Sequence, residues 1–222
     1  MISKQEWLDK CLKWKKNWQV CLPEYRINDK DGINIYYFLD VLSELSREGE
    51  IFITDAGSSF YTVFQSLKIK KNQRIICPGQ AEMFFSIPGA IGACFENNKK
   101  DIVVITGDGS FGGQSYEVET IVYHKLPIKI FIINNSGFLS IRATQDNLFE
   151  KRRLGTDNNS GISFPNIEKI AFAYNIKYTK IRKIIDLKPI IKEVLEINEP
   201  IICEIICPEN QPIIPTIGAF KD

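Results

Sequence analysis

From Ile51 onward, short uninterrupted apolar runs alternate with segments in which apolar residues return at helical spacing. Uninterrupted runs read as strands buried on both faces, and recurrence at i, i+3, i+4 reads as helices packed by one face. The pattern predicts strands over Ile51 to Thr54, Arg74 to Cys77, Ile102 to Thr106, Ile128 to Ile133, Lys177 to Ile181 and Ile201 to Ile206. Helices are predicted near Phe60 to Leu67, Phe84 to Glu96, Gln114 to His124, Ile167 to Tyr174 and Leu187 to Ile197. Between Gln145 and Gly161 the chain is polar and has no clear period. Such alternation predicts a three-layer α/β fold, with a mostly parallel sheet and helices on both faces.

Ahead of the first strand, Trp7, Leu8, Cys11, Leu12, Trp14 and Trp18 recur at helical spacing among lysines, which predicts an amphipathic helix ending before Pro23. All three tryptophans of the chain lie on it. A face so aromatic is expected to cover a neighbouring surface, in this domain or on a partner. A polar connector follows, then a second helix over Ile35 to Ser46. The expected organisation is an N-terminal helix and connector over residues 1–34 and one α/β domain over 35–222.

Composition narrows the function classes. The chain has 222 residues and is 44% hydrophobic, enough for one such domain with an extra arm. Its 28 basic and 27 acidic residues leave a net charge of +1, so charge points neither to nucleic acid nor to an anionic membrane. The six cysteines are scattered without a CxxC pair, and four lie in apolar segments, as reduced buried thiols do. No apolar leader opens the chain and no stretch approaches a membrane span, so a cytoplasmic protein is expected.

Candidate chemistry sits where two apolar runs stop. Gly107-Asp108-Gly109-Ser110 ends the run from Ile102, and Asn134-Asn135 ends the run from Ile128. Consecutive parallel strands are usually neighbours, so Asp108 and Asn135 are expected close together at the C-terminal edge of the sheet, where ligands of open α/β folds bind. Oxygen donors there suit a hard divalent cation holding a diphosphate. Gly107 and Gly109 allow a tight turn and close approach to a phosphate, Ser110 offers a hydroxyl and an amide, and the Gly137 carbonyl is a third candidate ligand.

With these residues in view, the chain resembles the thiamine diphosphate enzymes, whose diphosphate-binding domain carries GDG and, at this separation, NN. Thr54-Asp55-Ala56-Gly57-Ser58-Ser59, Ile87-Pro88-Gly89-Ala90-Ile91-Gly92-Ala93, Leu126-Pro127-Ile128-Lys129 and Gly218-Ala219-Phe220-Lys221-Asp222 extend the likeness to the C-terminal third of acetolactate synthases, as does Trp14-Lys15. The resemblance implies that Asp108, Asn135 and the Gly137 carbonyl bind Mg2+. It implies that Gly57, Ser58, Ser59, Met83, Gly107, Gly109, Ser110, Asn135, Gly137 and Phe138 hold thiamine diphosphate, with Met83 supporting the bent cofactor. The family commonly has Gln and His where Ser58 and Ser59 stand, and a tryptophan where Thr144 stands. The stretch from Gly137 to Phe149 looks closer to acetolactate-synthase-like enzymes of sugar and surface-polysaccharide pathways.

Other polar residues carry weaker signals. Arg142 and Gln145 either face substrate or occupy solvated helix positions, the latter favoured by their charge and polarity. Glu82 is a pocket carboxylate or a surface charge. Glu117 is expected to serve helix packing or the surface, and His124, the single histidine, a surface helix C-terminus.

The resemblance also implies what this stretch lacks. In the family a glutamate on a separate pyrimidine-binding domain activates the cofactor, and no such domain is present, so no catalytic residue is expected in this chain. Three readings stay open. The leading one is a Mg2+ and thiamine diphosphate-binding subunit or domain of a 2-oxo-acid decarboxylase or carboligase, a lyase or transferase. It would need a pyrimidine-binding partner in a hetero- or homo-oligomer and a small 2-oxo acid as substrate. The second is an isolated domain that binds the cofactor without turnover. The third is a non-catalytic scaffold that docks a partner through its N-terminal helix.

Overall fold

Six strands build the sheet: β1 (Ile51–Thr54), β2 (Arg74–Ile76), β3 (Ile102–Gly107), β4 (Ile128–Asn134), β5 (Lys177–Ile181) and β6 (Ile201–Ile206). The computed structural model describes residues 3–98 and 100–214. The final segment from Gly218 to Asp222 in the resemblance lies outside them. All the ladders among the described residues are parallel, in the order β2-β1-β3-β4-β6-β5.

Nine α-helices among the described residues accompany the strands: α1 (Lys4–Asn17), α2 (Ile35–Leu45), α3 (Gly57–Ser66), α4 (Ser86–Glu96), α5 (Asp108–Gln114), α6 (Val118–Tyr123), α7 (Leu139–Leu148), α8 (Ile167–Ala173) and α9 (Ile184–Glu196). Strand residues alternate between two cores. Val103, Ile105, Phe131 and Ile133 meet Phe38, Leu42, Val63, Leu187 and Ile191 from α2, α3 and α9 on one face. Ile102, Val104, Ile130 and Ile132 meet Ile87, Phe111, Ile121 and Ile167 from α4, α5, α6 and α8 on the other. The three-layer expectation holds.

Chain direction positions the site. From β1 the chain moves outward to β2 through α3 on the first face, whereas from β3 it moves the other way to β4 through α5 and α6 on the second. The loops leaving β1 and β3 therefore diverge, and the crevice at their C-terminal ends is where open α/β sheets take ligands.

Helix starts differ from the sequence expectation. α3 begins at Gly57 and α5 at Asp108, each several residues early, because their first turns hold glycine, serine and aspartate rather than apolar residues. A 3-10 turn at Ser115–Glu117 separates α5 from α6 within what reads as one helix. α7 runs into the polar stretch from Gln145.

α1 stands apart. Ser3 and Glu6 form a capping box at its start, yet none of its residues is buried. Trp7, Leu8, Trp14 and Trp18 remain exposed, so within the described chain the aromatic face covers no core. None of the six cysteines forms a disulfide, and Cys94, Cys203 and Cys207 are buried. No helix among the described residues is long and apolar enough to cross a membrane.

Candidate functional site

β3 and β4 run in register to their ends, where Gly107 lies opposite Ile133, so Asp108 and the Asn134–Asn135 pair leave the sheet side by side. Asp108 is the first residue of α5 and only 4% exposed. One carboxylate oxygen accepts from the Gly109 amide at 2.8 Å, and the other from the Gly137 amide at 3.1 Å. Burial pushes the Asp108 pKa up to about 6, and the neighbouring backbone amides and the Arg142 charge do not offset it. Asn135 is equally buried, and its side-chain oxygen has no hydrogen-bond partner. Both residues line one cavity of about 260 Å³ in the crevice after β1 and β3.

The two asparagines have separate tasks. The Asn134 side-chain oxygen accepts from the Ser136 amide at 3.0 Å, and its Nδ2 donates to buried Glu204 of β6 at 2.5 Å. Glu204 also accepts from the Tyr178 hydroxyl and pairs with Lys180 at 3.2 Å. Asn134 thus ties the loop to the sheet, and Asn135 faces the cavity.

The cavity gathers Gly57, Ser58, Met83, Gly107, Gly109, Ser110, Asn135, Gly137 and Phe138 from the sequence-predicted set. Ser59 is not among its lining residues; it is buried and donates to the Ala56 carbonyl at 2.8 Å. The Ser110 hydroxyl is already engaged. It donates to Asp55 at 2.6 Å and accepts from the Phe84 amide at 2.9 Å, which leaves its backbone N–H for a ligand. Two glycines allow close packing here, and of these only Gly137 meets backbone as well as side chain. A Cβ on Gly109 would lie 2.3 Å from the Phe138 ring, and one on Gly137, where φ is +151°, 2.2 Å from Arg142 and the Thr156 carbonyl.

Three buried charges escape sequence reasoning. Asp55, just after β1, accepts from the hydroxyls of Ser86, Thr106 and Ser110, from the Gln114 side chain and from the Ala56 amide. Glu204 anchors Asn134 as described. Arg142, expected to be solvated or facing substrate, is 1% exposed; Nη1 and Nη2 donate to backbone carbonyls, and Nε is buried without a partner. The signal for Asp55 was its place at the end of β1, beside Gly57; the other two partner groups far away in sequence.

The remaining candidates lie elsewhere. Gln145 exchanges two hydrogen bonds with the Leu154 backbone and closes a loop. Thr144 lines a second cavity of about 550 Å³ that shares Tyr61, Leu139 and Ser140 with the first. Glu82 is exposed and accepts from the Gln80 amide. Glu117 is partly buried in its 3-10 turn, and exposed His124 caps α6 ahead of β4, at the edge of the sheet opposite the site.

The donor set has a definite chemistry. Among the described residues no three His, Cys, Asp or Glu side chains converge, so no soft-metal centre is present. One carboxylate, one carboxamide oxygen without a partner and a backbone carbonyl suit a hard cation. The Gly137 carbonyl accepts one hydrogen bond, from Leu139 N at 3.1 Å, and keeps a lone pair.

Comparison with known proteins gives the family and the fold. Residues 55–205 match the family described as thiamine pyrophosphate enzyme, C-terminal TPP binding domain. The chain is 31% identical over 220 residues to acetolactate synthase 2, chloroplastic, of Nicotiana tabacum, covering 94% of this chain and 33% of that protein. It is 29% identical to the acetolactate synthase large subunit of Cyanidium caldarium, over 98% of this chain and 36% of that one. It therefore spans about a third of the length of these relatives. Among solved structures, a thiamine diphosphate-dependent 4-hydroxybenzoylformate decarboxylase of Rhodococcus jostii RHA1 superposes with a TM-score of 0.73 at 17% identity. That match covers 82% of this chain and 34% of the other, and it shows a shared fold.

Proposed function

The chain belongs to the thiamine pyrophosphate enzymes, as a C-terminal TPP binding domain of the acetolactate synthase-like kind, and from that premise we propose that it binds the diphosphate end of the cofactor through Mg2+ and acts in 2-oxo-acid decarboxylation or carboligation. Asp108, the Asn135 side-chain oxygen and the Gly137 carbonyl would hold the cation. Gly57, Ser58, Gly107 and the Gly109 and Ser110 amides would face the diphosphate, with Met83 and Phe138 against the rings. Ser59 would contribute through the loop it braces rather than by contact.

The observation that carries this reading is a mismatch that a cation resolves. Asp108 is a buried carboxylate disfavoured in its charged form, and beside it in the cavity stands an amide oxygen with no donor. A divalent ion offsets both costs at once. Thiamine diphosphate, when bound, supplies the carbon nucleophile and the electron sink that 2-oxo-acid chemistry requires. This chain's residues anchor, orient and shield; the activating carboxylate would come from a pyrimidine-binding domain, on a partner chain or on another part of the same protein.

Exposed apolar side chains support that partner. Tyr61 and Ile141 line the cavity yet are 48% and 49% exposed. Phe84, whose ring packs where a Cβ on Gly113 would stand, is also half exposed. Such a rim fits a surface that another domain covers. Calorimetry with thiamine diphosphate and Mg2+ tests the site: heat of binding is expected, and Asp108→Ala or Asn135→Ala should abolish it. Absence of heat from the chain together with its co-purified partner would sink the reading. Turnover of a 2-oxo acid is expected only when both halves are present.

A further inference from the structure

We propose that Arg142 is the positioning residue of the cation loop, holding Asn135 and Gly137 in place by clamping backbone carbonyls from three separate segments. The inference rests on the cofactor reading above and assigns a task to a residue outside its ligand set. Nη2 donates to the Asn135 carbonyl at 2.9 Å and to that of Glu209, beyond β6. Nη1 donates to the carbonyls of Ser136 at 3.3 Å and Thr156 at 3.4 Å. One guanidinium thus joins the loop after β4, the polar segment before α8 and the segment after β6.

The site needs such a device. Because the Asn135 side-chain oxygen has no donor of its own, its direction is set by its backbone, and that backbone is held through the carbonyl on Arg142. The next residues follow. Phe138 N donates to the same Thr156 carbonyl at 2.9 Å, and Gly137 packs so closely that a Cβ would strike both Nη1 and that carbonyl. Among the described residues no carboxylate forms a direct ion pair with Arg142, so its hydrogen bonds go to backbone oxygens, while Asp157, Asp108 and Glu209 favour its charge from a distance. Two separate Nη groups, each reaching carbonyls of two residues, span these directions, and a single lysine ammonium does not.

The probe is Mn2+ in place of Mg2+, with thiamine diphosphate, on the chain with its partner if one co-purifies; free Mn2+ is read by electron paramagnetic resonance. Arg142→Lys is expected to weaken Mn2+ binding by roughly tenfold or more, the usual scale for groups that orient metal ligands. Val194→Ala, buried near the end of α9 on an element that carries no proposed ligand, should lower stability and leave Mn2+ affinity unchanged. Equal Mn2+ affinity in wild type and Arg142→Lys overturns the positioning role while leaving the site reading intact. Failure of the wild type to bind Mn2+ with the cofactor overturns both. If the lysine variant does not fold, the wild type still decides: its Arg142 Nη protons should exchange slowly and shift on adding Mg2+ and thiamine diphosphate. Fast exchange without a shift contradicts the clamp.

Discussion

Asp55 and Asp108 follow neighbouring strands, β1 and β3, and both are buried, yet their surroundings differ in kind. Asp55 is surrounded by donors: three hydroxyls, a carboxamide and an amide converge on it from β3, α4, α5 and its own loop. Asp108 receives two backbone amides at hydrogen-bond distance and no side-chain hydrogen bond, with the Ser136 amide and the Arg142 charge acting more weakly. A buried carboxylate saturated with donors is part of the scaffold; one left short of them is poised for a cation. Ser110 connects the two, because its hydroxyl serves Asp55 while its backbone lines the cavity.

The comparison predicts its largest effect at Asp55. Asp55→Ala strands the hydroxyls of Ser86, Thr106 and Ser110 and the Gln114 amide, and should cost about 4 kcal/mol in denaturant unfolding. A loss below about 1 kcal/mol would remove Asp55 from the scaffold. Asp108→Asn should do the opposite in metal-free chain. The folded pKa of Asp108 is raised from 3.8 to about 6, so its contribution to stability is whole below 3.8 and is lost as pH rises through 6. That loss is about 3 kcal/mol by linkage. Asparagine avoids it but turns its Nδ2 donors on the Gly137 amide and leaves that amide unsatisfied, which costs about 1–3 kcal/mol and offsets part of the gain. At pH 8 the variant should therefore melt above metal-free wild type, with the difference shrinking as pH falls below 6. A variant less stable at pH 8 would place Asp108 with Asp55.

Smaller effects sharpen the division. Asn134→Ala removes the tether to Glu204 and the Ser136 cap, not a proposed ligand, and should weaken Mn2+ binding about tenfold. Titrations in which it matched Asn135→Ala would show that the two asparagines do not divide the work. His124→Ala, at the far edge of the sheet, should stay within about 0.5 kcal/mol of wild type and bind the cofactor equally.

Much of this was legible in the sequence, for physical reasons. Apolar runs report burial directly, so strands such as Ile102–Gly107 and Ile128–Asn134 ended within a residue of expectation, and with them the places of Asp108 and Asn135. Helix starts were less legible, because Gly57-Ser58-Ser59 and Asp108-Gly109-Ser110 form first turns that carry no apolar signal. Arg142 was read as solvated since a charge usually is, and its partners at Thr156 and Glu209 are backbone oxygens that no side-chain pattern reveals. The Asp55 network draws on Ser86, Thr106, Ser110 and Gln114, which only the folded sheet brings together. α1 was legible as a helix, and its partner was not: the tryptophans announce a surface to be covered, and the described chain leaves it open.

Asp108, so placed, is a carboxylate held in reserve for a cation. Carbon-detected NMR titration of its carboxyl carbon tests this directly, first without metal and then with Mg2+ and thiamine diphosphate. The account predicts a metal-free midpoint near 6 that falls below the ordinary 3.8 when both are added. An ordinary midpoint that ignores Mg2+ and the cofactor would contradict it.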